Sequence, residues 1–325
     1  MNSNNPNDLA IVALCTNLGD PNSTFNPLTN LQYNHLATKL YNSSIQSPSN
    51  LLEKINELDS YWEELNLSFE MKDRIEYLLS PERVIKVHMG VQDLLRRNIQ
   101  IITRASKDYP NKLKSKLLEK RPAVLFYTGN LDLVNEDIVG IVGSRNIGRE
   151  EEDYINIIVK ELVSKSKTII SGGAKGSDKT AEDVVIENEG NLILFLSFGM
   201  NKKITDSKVI KHLINDKMLI LSESVPSSNF QVFSAMNRNK YIYALSDYVV
   251  VAKTDYKKGG TWSGATEALK NNYCDVFLKS DNSIGFRELI QLGVKVYKDN
   301  NYDAFIKYEK IEQLSLFEDS NQKKK

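Results

Sequence analysis

Two short stretches set glycines beside cations. Gly143-Ser144-Arg145 closes the apolar run Ile138-Val-Gly-Ile-Val142, and Gly172-Gly173-Ala174-Lys175-Gly176 follows Thr168-Ile-Ile-Ser171. Glycine lets the main chain approach an anion closely, and the helix that follows such a turn offers N–H groups and a positive dipole end. Arg145 and Lys175 add full charges, so the chemistry on offer is capture of a phosphate or another anion. One such turn alone is read as a tight strand-to-helix connection. Two of them on neighbouring strands, each with a cation, point to a site. Its predicted donors are the amides of Gly143, Ser144, Gly172, Gly173 and Gly176, with Ser171 and Asp178 bounding the second turn. The first turn lacks the Gly-x-Gly-x-x-Gly dinucleotide fingerprint. The second has Asp178 where a P-loop needs glycine directly before the lysine, so neither NAD binding nor NTP hydrolysis is supported.

Further polar groups fall at similar places. Arg238-Asn239-Lys240 precede an apolar helix, and Lys257-Lys258-Gly259-Gly260-Thr261 ends at a helix start. The latter is read as a third anion-facing turn, with Thr261 or Ser263 as its cap. Phe233 offers either a stacking face to a base or a core side chain. The basic run from Arg96 to Arg121 is read as a solvated face, with extension of a phosphate-binding track as the minority alternative. Asp178 and Glu223 have the chemistry of general acids or bases, but a carboxylate beside a phosphate cradle also serves to order the loop.

These residues need a scaffold. Ile155, Ile158, Val159, Leu162 and Val163 recur at helical spacing between two β-branched runs, which gives a β-α-β unit with both glycine turns at one end of adjacent parallel strands. That end is where open α/β sheets hold ligands. Short apolar runs at 192–196, 218–221, 248–252 and 275–278 alternate with helical segments, so the predicted fold is α/β, a Rossmann-like doubly wound, mostly parallel sheet. Ahead of it, apolar residues from Leu36 to Leu79 recur in helical stripes, with Ser47-Pro48 and Ser80-Pro81 as helix starts. The expected division is a polar N-terminal segment (1–30), a helical domain (31–105), the Rossmann-like domain (106–300) and a C-terminal tail (301–325). The element type of Leu9 to Leu14 is left open.

Over 325 residues, 42 Lys and Arg balance 42 Asp and Glu, so any nucleic-acid binding must use a local patch rather than bulk charge. Two cysteines are too few and too isolated for a disulfide framework or a zinc site, and no apolar run is long enough to span a membrane. The expectation is a cytoplasmic protein with no metal, no cofactor and no membrane partner.

Taken in order, Asp108-Tyr-Pro110, Pro122 to Asn130, Ile141-Val-Gly-Ser-Arg145, Ser171-Gly-Gly-Ala-Lys-Gly-Ser-Asp178, Arg238-Asn-Lys240 and Lys258-Gly-Gly-Thr-Trp-Ser-Gly-Ala265 resemble the successive signatures of the DNA-processing protein A family (DprA, also called Smf). Lys240 stands where the family has a second arginine, Ser177 replaces an isoleucine, and Trp262 with Gly264 marks a divergent branch. The resemblance implies a non-catalytic protein that binds single-stranded DNA, forms a homodimer and helps load a RecA-type recombinase during DNA uptake. It also implies that Arg145, Lys175, Arg238 and Lys240 neutralise phosphates. One alternative is a nucleotide sensor on the same pocket, in antiviral defence for example. A weaker one is a nucleoside-phosphate glycosidase, whose Pro-Gly-Gly-x-Gly-Thr segment and downstream glutamate are echoed faintly by Gly259-Gly-Thr261 and Glu267. Separately, Gln313-Leu314-Ser-Leu316-Phe317 resembles the short peptide by which bacterial proteins dock on the DNA polymerase sliding clamp, with a last helical turn as the alternative.

Overall fold

The computed structural model describes residues 5–230, 232–279 and 283–297. In chain order its helices are α1 (Asn7–Cys15), α2 (Asn30–Tyr41), α3 (Pro48–Glu53), α4 (Leu58–Leu65), α5 (Phe69–Leu78), α6 (Pro81–Arg96), α7 (Asn111–Leu117), α8 (Arg149–Ser164), α9 (Ser177–Glu187), α10 (Ser207–Ile214), α11 (Val232–Leu245), α12 (Gly259–Lys270) and α13 (Ile284–Gln291). The strands are β1 (Gln100–Thr103), β2 (Val124–Gly129), β3 (Ile138–Val142), β4 (Thr168–Ser171), β5 (Leu192–Leu196), β6 (Met218–Ser222), β7 (Tyr248–Val251), β8 (Asp275–Lys279) and β9 (Lys295–Tyr297). No helix among them is long and apolar enough to cross a membrane. Packing groups the chain into two compact units, one from Met1–Leu131 with Leu196–Tyr241, the other from Asp132–Phe195 with Ile242–Lys325.

The second unit is the predicted doubly wound sheet. Strand β3 pairs in parallel with β4 on one side and β7 on the other; β4 pairs with β5, β7 with β8 and β8 with β9, all parallel. The chain therefore runs outward from β3 to β5, returns, and runs outward again from β7 to β9. Helices α8 and α9 pack on each other and against β4 and β3, and α12 packs on β8; the right-handed rule for parallel crossovers expects the two sets on opposite faces. Every residue of β3, β4, β5 and β7 is buried, which explains why these runs read as continuous apolar stretches rather than alternating ones. The order reverses between β3 and β7, and their carboxyl ends are where such a sheet opens a crevice.

The first unit holds the helical segment and an antiparallel meander in which β2 pairs with both β1 and β6. Ser47 and Ser80 cap α3 and α6 through their hydroxyls, each with proline in the first turn, as their sequence predicts. The open segment resolves as helix α1, with Ala10 to Leu14 all fully buried. Five consecutive apolar residues carry no period because every face of this helix is covered. Arg83, 2% exposed, donates from its guanidinium to the carbonyls of Leu18 (2.7 Å) and Thr16 (2.8 Å) just past the end of α1.

Candidate nucleic-acid interface

The three glycine-bearing turns all lie in the second unit and interlock at the carboxyl ends of β3, β4 and β7. Gly143 carries no Cβ because one there would lie 2.3 Å from Ser177 Oγ and 2.8 Å from Ser177 Cβ. Gly176, at φ +75°, would place a Cβ 2.5 Å from the Ser144 carbonyl oxygen and 2.6 Å from that of Arg145. Ser177 donates from both its N–H and its Oγ to the Ser144 carbonyl at 3.2 Å. These glycines thus permit the first two turns to touch, and that contact sets the Lys175-Gly176 segment directly against Arg145. Arg145 and Lys175 are both exposed at the resulting rim. The third turn is tied in by Thr261, whose Oγ1 donates to the Gly143 carbonyl at 2.9 Å.

The same contacts change the expected division of labour between backbone and side chain. Ser144 N–H donates to the Lys253 carbonyl at 3.1 Å, extending the β3–β7 ladder by one step, so it is not a phosphate donor as predicted. Helix α8 opens with Glu150, Glu151 and Glu152, which occupy its positive end with the chain's own charge. Asp178 is buried and its carboxylate accepts from the Ala174 N–H at 3.3 Å, so it orders the second turn from within. Ser171, fully buried, donates from Oγ to the Ile141 carbonyl at 2.9 Å and also holds β4 to β3. Gly172 is buried and Gly173 adopts φ +66°. What the rim presents to an anion is chiefly cationic side chains: Arg145, Lys175, Lys257 and Lys258 are exposed. Lys179 and Lys253 also lie here, but Lys179 pairs with Asp183 (2.5 Å) and Lys253 with Glu151 (3.3 Å).

Helix α12 begins at Gly259, so Gly259 and Gly260 form its first turn and Lys258 its cap position, with no side-chain cap bond. Neither Thr261 nor Ser263 caps it: Thr261 reaches the first turn, and Ser263 Oγ donates back to the carbonyls of Gly259 and Gly260. Glu151 Oε2 accepts from Gly148 N–H at 2.7 Å while its other oxygen faces Lys253. Its pKa is lowered; burial acts the other way and is outweighed by the Gly148 amide and the Lys253 ammonium.

Arg238, Asn239 and Lys240 belong to the first unit, on α11. Arg238 shares the buried face of that helix with Ala235, Tyr241 and Leu245 and is only 6% exposed. That leaves its guanidinium little room for a phosphate, against the sequence expectation; an arginine at i, i+3 spacing with apolar residues joins their face. Lys240 is half-buried, its ammonium 5.1 Å from the Tyr241 ring centre, and Asn239 is half-buried. The side chain of Phe233, like the tail residues Gln313, Leu314, Leu316 and Phe317, lies outside the described residues.

The basic run from Arg96 to Arg121 is partly structural. Arg104 donates to the carbonyls of Pro122, Glu119 and Arg121 and to the Asn34 side chain. Burial lowers its pKa, and Arg121 lowers it further. Glu223 holds the first unit together: one oxygen accepts from Asn30 Nδ2 at 2.6 Å, the other from the Tyr241 hydroxyl at 2.7 Å. Burial, reinforced by Glu223, keeps that phenol's pKa well above its ordinary value. A polar cleft of about 150 Å³ nearby, lined by Cys15, Asn17, Glu223, Ser228 and Asn229 among others, was not foreseen, because it joins residues some 200 positions apart. It contains none of the predicted anion-site residues.

The family model for DNA recombination-mediator protein A matches residues 100–307. The chain is 31% identical over 171 residues to the DNA processing protein DprA of Bacillus subtilis, covering 50% of this chain and 55% of that protein. It is 30% identical over 181 residues to the Streptococcus pneumoniae DprA, covering 54% and 63%. The chain therefore spans less than two thirds of the length of these relatives. Among solved structures, DprA from S. pneumoniae matches with a TM-score of 0.57 at 24% identity, covering 84% of this chain and 96% of that one. DprA from Helicobacter pylori, whose structure was solved for its single-stranded DNA binding mode, matches with a TM-score of 0.54 at 23% identity, covering 66% and 96%. At these identities the two structures speak for the Rossmann-like fold. The family model spans more than half of the sequence, across the three interlocked turns, and the chain belongs to the DNA recombination-mediator protein A family.

Proposed function

We propose that this protein binds single-stranded DNA through the rim of the second unit, without turnover, as a DNA-processing and recombination-mediator protein. The observation that carries the reading is the interlock of Gly143 with Ser177 and of Gly176 with Arg145, which sets Arg145 and Lys175 on one rim. Lys257 and Lys258 extend that rim on the third turn. The single-stranded DNA binding named for the H. pylori relative supports the choice of ligand. A row of exposed cations reads backbone charge and not base edges, so binding is sequence-tolerant and weakens with salt. Homodimer formation and hand-over to a RecA-type recombinase belong to the same proposal, on the strength of the family. The Gln313–Phe317 peptide is proposed separately as a sliding-clamp anchor.

The test is fluorescence anisotropy with a labelled single-stranded oligonucleotide beside a calorimetric titration with mononucleotides. The oligonucleotide binds, and Arg145→Ala with Lys175→Ala weakens it at least tenfold while leaving the thermal transition in place. Unchanged affinity in the double variant removes the site from this rim. Tight binding of a mononucleotide with no oligonucleotide binding replaces the proposal by the nucleotide-sensor reading.

A further inference from the structure

The third turn carries something the phosphate reading leaves unused. Tyr256 and Trp262 flank the Lys257-Lys258-Gly259-Gly260-Thr261 segment, and their rings meet edge to face, centres 5.1 Å apart and planes at 88°. Both are half-buried. An edge-to-face pair leaves ring face that its partner does not cover. Lys257 adopts φ +52°, which a non-glycine residue enters only when the turn holds it there. From that position its ammonium lies 5.0 Å from the Tyr256 ring centre. The adjacent Asp255 and Lys258 form an isolated antiparallel bridge that closes the turn. Tyr256 is also fixed from behind, because Gly285 of α13 approaches its backbone so closely that a Cβ would lie 3.2 Å from the Tyr256 nitrogen. Trp262 follows Thr261, whose hydroxyl is tied to the Gly143 carbonyl. Trp262 is thus one residue from the contact that joins the third turn to the first, at the strand-order reversal between β3 and β7.

We propose that Tyr256 and Trp262 form a stacking platform for a nucleobase of the strand whose phosphates lie along Arg145, Lys175, Lys257 and Lys258. The inference rests on the strand-binding reading and adds a base contact to it. The occupant follows from what surrounds the rings. A hydrophobic peptide would bring apolar surface against the exposed Lys257 and Lys258 ammonium groups. A nucleotide brings an aromatic plane and an anion together, and here two rings and two exposed lysines share one turn. Stacking of this kind tolerates any base, in keeping with a site that has cations but no row of base-reading amides.

The chain has two tryptophans, so Trp62→Phe leaves Trp262 as the sole indole reporter. This variant is titrated with a thymidine oligonucleotide of about 12 residues and with an abasic tetrahydrofuran strand of the same length, a length within the usual range of single-strand sites. The thymidine strand quenches Trp262 fluorescence and binds roughly tenfold more tightly than the abasic strand, which binds without quenching. Trp262→Leu, which keeps an apolar group against Tyr256, weakens the thymidine strand about tenfold and leaves the abasic strand unchanged; Trp262→Phe, which keeps a ring, restores part of the thymidine affinity. Equal affinity for the two strands with no quenching overturns the platform and leaves the phosphate rim standing. If neither strand binds, the strand-binding reading falls and the platform with it.

Discussion

At the residue scale, two glycines explain the rim better than the anion they were expected to cradle. Gly143 and Gly176 are there because two turns occupy one volume. A methyl group at Gly143 must displace Ser177, which is fully buried and has nowhere to move. Gly143→Ala is therefore expected to lower stability by about 1–3 kcal/mol, the usual cost of overpacking, measured as the midpoint of denaturant unfolding. Ser177→Gly in the same chain removes both clashing atoms, and the double variant should recover part of the loss. A purely additive pair would mean that the turns do not touch. The cations and glycines of this rim were legible from sequence, because a turn after a buried strand has few places to go. The fate of the Ser144 amide was not: whether it ends in solvent or in the β3–β7 ladder depends on register, which no single stretch encodes. Nor was the burial of Arg238, which was read as preceding an apolar helix but lies within α11, on its covered face.

At the scale of elements, the rim is a product of three connections rather than of one loop. The start of α8, the end of β7 and the start of α12 are linked through Glu151, Lys253, Ser144, Gly143 and Thr261. The strands and helices that carry these connections were readable from their periods. Helix α12 was expected to be capped by Thr261 or Ser263 but already starts at Gly259, because two glycines that look like a loop can also serve as a helix's first turn. Glu151 makes the network testable by pH. Its folded pKa lies below the ordinary 4.5, so the folded state holds the proton less firmly than the unfolded one. Its contribution to stability is complete above that ordinary value and is lost as pH falls through the lower folded value. Wild type should therefore melt above Glu151→Gln at about pH 7, and the gap should narrow as pH falls below the ordinary 4.5. A gap that persists in acid would mean that the carboxylate's charge does not matter to the connection.

At the scale of the whole molecule, balanced charge means that salt reports the local patch and little else. Each phosphate neutralised on a single strand contributes about −0.7 to the slope of log affinity against log salt. Four exposed cations, Arg145, Lys175, Lys257 and Lys258, give a slope of about −2.8 (4 × −0.7). Replacing Arg145 and Lys175 by alanine should halve it, to about −1.4, on an oligonucleotide titrated between about 50 and 300 mM salt. The buried arginine supplies the control. If Arg238 gripped phosphate, as its place in the sequence suggests, Arg238→Met would also flatten the slope by about 0.7. Its 6% exposure argues for the opposite pattern, a lower melting temperature with the salt slope intact. A flattened slope at unchanged stability would put Arg238 among the phosphate contacts.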